Sequence, residues 1–429
     1  MISAMADSAQ LAKPLRVLVS EGNSTSAREA ITILGLSGHM VEVCDPSPYC
    51  LARFSRFVRK FHRCPGLRHD PAGYLCLVEQ LLAARHFDVL LPIHEQGFLF
   101  ARVRQRLEDR VGLALPDFPS YRTAHNKAGF SRLLDQLGLP QPATRVVTSA
   151  DELRDAIRFP CVVKTAVGTA SRGIWFVRGK ADLESALHDL DAQDLSVNGV
   201  FTSEVLVQEL VAGAIEKAQG VFCRGRLIGF HAYRQIAAGV GGGEAIKQSV
   251  RRFNVRALLA VIGEKLAWHG ALSADYVLPD DDATPLLIDC NPRLVEPMSA
   301  YLAGVDLVGL LLRISRGETS APVPDGCDGV RTHLAMQALL GCALRGGTRR
   351  GLAGESWRLL TGGGPYAGSI EELTPVRLDW ISAAPLAMTA MFLLAAPKLA
   401  HRLPSAGWGM HLLDPASIRL IEREDFPAA

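Results

Sequence analysis

Residues 274–293 read ADYVLPDDDATPLLIDCNPR. Two apolar runs, Ala274 to Leu278 and Leu286 to Cys290, flank an acidic turn at Asp280 to Asp282. That pattern predicts two strands joined as a hairpin. Asp275 lies in the first strand and Asp289 near the end of the second. Side chains alternate along a strand, so Asn291 shares a face with Asp289, and the hairpin brings Asp275 beside them. Two carboxylates and an amide oxygen are hard ligands, suited to a Mg²⁺ that substrate phosphates also hold. Arg293 continues the alternation and sets a guanidinium beside the metal, where it can grip phosphate or a carboxylate. Asp and Asn ahead of Pro292 are equally at home in a plain turn, so this stretch alone leaves both readings open.

Two upstream elements narrow the choice. Pro160-Cys-Val-Val-Lys164 reads as a strand ending in a lysine, followed by the small-residue loop Gly168-Thr-Ala-Ser171-Arg-Gly173. A strand-end lysine neutralises phosphate, and such a loop closes backbone N–H groups over a nucleotide. It is not a Walker loop, because no Gly-Lys-Ser/Thr ends it. Next comes Val207-Gln-Glu209-Leu-Val211-Ala-Gly213, with Glu216 beyond. An apolar strand giving way to a short connection can offer backbone groups to an adenine edge, and Glu216 can accept from ribose hydroxyls. Taken singly, each is a plain hairpin or strand end.

In this order the three elements resemble the ATP-grasp superfamily, its carboxylate–amine ligases in particular, over about residues 16–318. The resemblance implies an α/β chain. An N-terminal parallel-sheet (pre-ATP-grasp) domain would precede the ATP-grasp fold, and an extra C-terminal unit would follow it. It implies that Lys127, in Asn126-Lys127, and Lys164 meet the nucleotide phosphates. Gly168, Ser171 and Gly173 would belong to the loop over the triphosphate, Glu209 and Val211 to the adenine hinge, and Glu216 to the ribose. Asp275, Asp289 and Asn291 would hold Mg²⁺, one ion or two, with Mn²⁺ as the alternative. Arg293 and Lys164 would act at the acyl-phosphate centre. The chain departs from the family at Asn126, where Asp is frequent, at Asp289, where Glu is usual, and in a hinge glycine displaced by about one residue.

The implied activity is an ATP-dependent ligase that makes an acyl phosphate from a small-molecule acid or amino acid and couples it to an amine. The alternatives are an ATP-grasp carboxylase, a phosphate-transferring variant, or a non-catalytic nucleotide-binding scaffold. Between hinge and metal strands lie Arg234 and Gly239-Val-Gly-Gly-Gly243, with Glu244 and Lys247. Arg234 is a candidate clamp for a substrate carboxylate, and Glu296 a candidate partner for Arg293.

The rest of the chain frames these elements. Arg16 to Ser20, a polar turn at Glu21 to Ser26, a helix to about Leu36 and a strand at Val41 to Cys44 open a parallel α/β domain. Arg53 to Arg68 interleaves six basic residues with Phe54, Phe57 and Phe61 and reads as a helix with a solvated basic face. The expected division is a leader to about residue 13, an N-terminal domain at 14–115, the ATP-grasp region at 116–320 and a C-terminal unit at 321–429. Within the ATP-grasp region the small lobe spans about residues 120–205 and the large lobe about 206–320.

With 46 basic and 44 acidic side chains the net charge is +2, which gives no reason to expect a nucleic-acid surface. Nine scattered cysteines without C-x-x-C spacing read as reduced cytoplasmic thiols. The N-terminus shows no basic region followed by an apolar run, so no secretory signal is expected. Ile381 to Pro397 carries no charge; a buried helix kinked at Pro385 is expected, with peripheral membrane contact as the alternative. A homodimer stays open.

Overall fold

The structure, a computed structural model, describes residues 13–168, 172–193, 195–280, 284–402 and 411–426. Residues 1–12, Thr169 to Ser171 and two of the turn aspartates, Asp281 and Asp282, lie outside it.

The N-terminal sheet holds β1 (Arg16–Val19), β2 (Met40–Asp45), β3 (Val58–Arg63) and β4 (Val89–Leu91), in the order β3-β2-β1-β4. All its pairings are parallel, so each connection must cross over a face of the sheet. Helix Thr25–Leu36 makes the first crossover, and the Ser24 side chain caps it by accepting from the Ala27 N–H. The 53–68 segment is not the expected helix: a short 3-10 turn at Leu51–Phe54 leads into β3. Parallel pairing with β2 wins over the helical period because Val58 and Phe61 can pack on the core, while Arg59, Lys60 and Arg63 point outward.

Two further sheets follow, antiparallel throughout except for the parallel β15–β16 pair at the edge of the larger. The smaller contains β5 (Thr144–Ser149), β6 (Cys161–Thr165), β7 (Ile174–Val177), the short β8 (Ser196–Val197) and β9 (Val200–Glu209). Its order is β5-β9-β6-β7, with β8 on β9. The larger runs β14-β13-β10-β11-β12-β15-β16. Its members are β10 (Gly213–Cys223), β11 (Arg226–Ala238), β12 (Glu244–Val250), β13 (Gly270–Pro279), β14 (Leu286–Asn291), β15 (Arg331–His333) and β16 (Ile370–Glu371). The last two strands come from the C-terminal unit, which therefore extends the large-lobe sheet.

Buried ion pairs tie that unit down further. Asp379 accepts from Arg28 Nη2 at 2.8 Å, Ser55 Oγ at 2.7 Å and the Arg56 N–H at 3.1 Å. Lys247 is buried between Glu296 and Glu372, the latter at 2.9 Å. The expected buried, kinked helix is instead Ala383–Ala395, in which only Pro385 and Leu393 are buried. Pro385 sits in the first turn, where its missing N–H breaks no helical hydrogen bond. Among the described residues no helix is long and apolar enough to cross a membrane.

Candidate active site

The β13–β14 hairpin pairs Asp275 with Asp289 and Ser273 with Asn291. Asp275, Asp289 and Asn291 all line one cavity of about 170 Å³ between the N-terminal sheet and the large lobe. Burial, with the charge of Asp289 adding to it, pushes the Asp275 carboxyl above its ordinary range. Two adjoining carboxylates and an amide oxygen at a cavity wall match the hard-oxygen donor set of Mg²⁺.

The lysines arrive from the small lobe. Lys127 opens helix Lys127–Leu137, behind the Asn126 cap, and its Nζ lies 2.8 and 2.6 Å from the two Asp289 oxygens. Lys164, on β6, donates to Gln208 Oε1 at 2.7 Å and to the Ile288 carbonyl at 3.1 Å. Burial brings the Lys164 ammonium down to about 8, with nearby Lys127 pushing the same way against the Asp289 charge. Arg293 lines the cavity and donates to Asn291 Oδ1 at 3.3 Å.

The loop after β6 is shaped by close approach. Gly168 faces the cavity, and a Cβ there would strike the Arg172 carbonyl. Gly173 has φ +71°, and a Cβ there would strike Thr165 Oγ1, so only glycine fits without strain. Ser171 lies outside the described residues. Glu209 and Val211 stand where β9 leaves the small lobe, with Glu209 exposed.

Three expectations are corrected. Glu216 is 1% exposed and both its oxygens are held at 2.7 Å by Arg252, with Tyr276 Oη at 2.8 Å. Its carboxylate is committed inside the large lobe and is closed to a ribose. Glu296 pairs with Lys247 rather than with Arg293. Arg234 is exposed on β11, donates to Gln248 Oε1 at 2.9 Å, and is not among the cavity-lining residues.

Other cavity residues escape sequence reasoning. Lys217, the β10 partner of Asp275, reaches Glu244 at 2.7 Å. Glu21 and His94 come from the N-terminal sheet, and Gln337 and His411 from the C-terminal unit. Gln337 accepts from the Val240 N–H at 2.8 Å and so steadies the glycine-rich turn. Alternation along β10 could have flagged Lys217. Nothing local marks Gln337 or His411, which are brought in from far along the chain.

No family model matches the chain. It is similar to the carbamoyl phosphate synthase large chain of Rubrobacter xylanophilus, with 26% identity over 272 residues. That match covers 59% of this chain and 24% of the relative. The chain spans between about a tenth and a quarter of the length of the curated relatives it matches. Among solved structures, the L-amino acid ligase from Bacillus licheniformis superposes with TM-score 0.55 at 17% identity, covering 72% of this chain and 76% of that one. Biotin carboxylase from Campylobacter jejuni, solved with β-γ-ATP, gives TM-score 0.57 at 15% identity, covering 77% and 75%.

Proposed function

Because the chain has the ATP-grasp fold, as those two solved structures do, we propose that it is a MgATP-dependent carboxylate–amine ligase. The observation that carries this is the pairing of Asp275 with Asp289 in a cavity that Asn291 and Arg293 share, with Lys127 on Asp289 and Lys164 on the carbonyl of the preceding Ile288. Mg²⁺, one ion or two, with Mn²⁺ able to use the same oxygens, would be held by Asp275, Asp289 and Asn291. When bound it neutralises phosphate charge. Lys127 and Lys164 hold the triphosphate from the small lobe. Arg293 receives the substrate carboxylate and screens its approach to the γ-phosphate, since both are anionic. The 168–173 loop covers the nucleotide, which keeps water from the acyl phosphate. Glu209 and Val211 serve the adenine hinge.

The test is phosphate and ADP release with MgATP across amino acids offered singly and in pairs, with Asp289→Ala as control. Release that needs a particular pair and disappears in the variant supports the ligase. Bicarbonate-dependent release without an amine would favour the carboxylase reading.

We further read the protein as cytoplasmic, supported by nine free thiols. Exposed Trp380, Met388 and Met391 supply the apolar surface that peripheral contact with a membrane would use. Sedimentation with phosphatidylserine vesicles, set against sizing for a homodimer, separates the two.

A further inference from the structure

The nucleophile must enter a cavity whose wall is built in part by the extra C-terminal unit. Helix Ala335–Leu344 of that unit lies on the β11–β12 hairpin and is fastened to it at three places. The Leu334 N–H donates to the Ala245 carbonyl at 3.0 Å, and Arg345 Nη1 donates to the Ala238 carbonyl at 3.1 Å. Between them, Gln337 Oε1 accepts from the Val240 N–H at 2.8 Å. Ala338 shares one apolar cluster with Ala245 and Ile246, so the helix is seated by packing as well.

The hairpin tip runs from Val240 to Gly243, and all four residues line the cavity. The Gly243 N–H donates to the Val240 carbonyl at 3.0 Å, with φ +60° at Gly241 and +76° at Gly242. Left-handed backbone at both central residues is the primed turn that suits a hairpin, and glycine takes it without strain. Lys217 Nζ, on the Gly242 carbonyl at 3.2 Å, props the tip from β10.

Gln337 is 5% exposed and lines the same cavity. Its amide lies so close to the tip that a Cβ on Gly239 would come within 2.7 Å of Oε1, and one on Gly243 within 2.8 Å of Nε2. The Val240 N–H needs an acceptor, which fixes the oxygen on that side and leaves the N–H₂ on the Gly243 side. That nitrogen donates to no group among the described residues. Nor is it sealed off, as the unpartnered ring nitrogens of His94 and His411 are. Neighbouring cavity groups are already committed: Lys217 to Glu244, Glu296 to Lys247 and Asp289 to Lys127. A donor held in this way gains a hydrogen bond only from a ligand that carries an oxygen acceptor. A simple alkylamine has no such oxygen beside its amino group, whereas an α-amino acid has a carboxylate there.

We infer that Gln337 is a specificity-determining residue for the amine: with Oε1 anchoring the hairpin tip, it donates through Nε2 to the carboxylate of an α-amino acid, so the C-terminal unit sets which nucleophile the site accepts. This rests on the ligase reading above. Val240 is a positioning residue, since its N–H orients the Gln337 amide and touches no substrate.

The test offers amines in matched pairs, an α-amino acid and its decarboxylated counterpart, such as alanine and ethylamine. Full-length protein with MgATP and an activating amino acid is assayed for amide with each pair, and for hydroxamate with hydroxylamine, which reports the acyl phosphate and carries no carboxylate. The wild type should prefer the α-amino acid. In Gln337→Met, kcat/KM for that amine should fall about ten- to a hundredfold, chiefly through KM, while the decarboxylated amine and hydroxylamine change much less. Gln337→Glu at pH 8 keeps an oxygen for the Val240 N–H but sets a carboxylate where the N–H₂ stood. It should discriminate against the α-amino acid more strongly still, through like-charge repulsion, with Tm near that of the wild type. An equal fall with all three nucleophiles in both variants would reduce Gln337 to a prop for the hairpin and overturn the inference. So would a wild type that forms hydroxamate yet uses decarboxylated amines as well as amino acids, or accepts no amino acid as amine. A wild type that forms no hydroxamate from any acid would instead sink the ligase reading itself.

Discussion

Lys127 grips both oxygens of Asp289, at 2.8 and 2.6 Å, across the boundary between small lobe and large lobe. A residue expected to hold phosphate is thus engaged with a residue expected to hold metal. On the proposed reading, nucleotide entry would exchange this ion pair for contacts to phosphate and Mg²⁺, which would link the two lobes and the site through one bond. Lys127→Met should raise the KM for ATP by about ten- to a hundredfold, the equivalent of losing one charge-assisted hydrogen bond of about 1.5–3 kcal/mol. ATP titration of the variant checks this, and an unchanged KM would remove Lys127 from the nucleotide site.

Lys164 carries a pH prediction. Burial sets its ammonium at about 8, so the charge is present below that pH and is lost above it. ATP affinity should therefore be level from pH 6 to about 7.5 and weaken as pH rises toward 9. A Lys164→Arg variant, charged throughout, should lose that alkaline fall even if its affinity is lower overall. Nucleotide binding measured across pH decides it.

Gly173 tests the loop. At φ +71° with Thr165 Oγ1 in the way, Gly173→Ala adds about 1–2 kcal/mol of backbone strain and a collision. Turnover should fall more than global stability, because the distortion is confined to the segment proposed to cover the nucleotide. Equal losses in both would mean the glycine matters only for folding.

Arg28 and Asp379 test the seat of the C-terminal unit. Their side chains are 3% and 0% exposed. Asp379→Ala leaves an uncompensated buried guanidinium, a loss of about 3–5 kcal/mol seen as a lower Tm. Pairing Arg28→Met with Asp379→Leu should recover much of it. A double variant no better than the single would count against this account.

Glu372 adds a stability signature. Burial holds its carboxyl up to about 7, so between its ordinary value and pH 7 the folded protein keeps a proton that the unfolded chain has released. Stability from this group is greatest at the acidic end and declines as pH rises through that window. Denaturant midpoints of Glu372→Gln should show a shallower decline than wild type.

What the sequence determined by itself is local. The hairpin carrying Asp275 and Asp289, the strand ending in Lys164, the glycines of the 168–173 loop and the first crossover helix all rest on strand alternation and turn chemistry within a few residues. Their positions follow once the register is set. The tertiary structure alone decided the rest. Glu216 became a core ion pair because Arg252 folds over it, and Val58–Arg63 became a strand because β2 offered an edge. Lys217 meets Asp275 through sheet register. Asp379 reaches Arg28 and His411 reaches Asp45 across more than three hundred residues. Such contacts depend on which surfaces the packed sheets bring together, and no pattern of neighbouring residues encodes them.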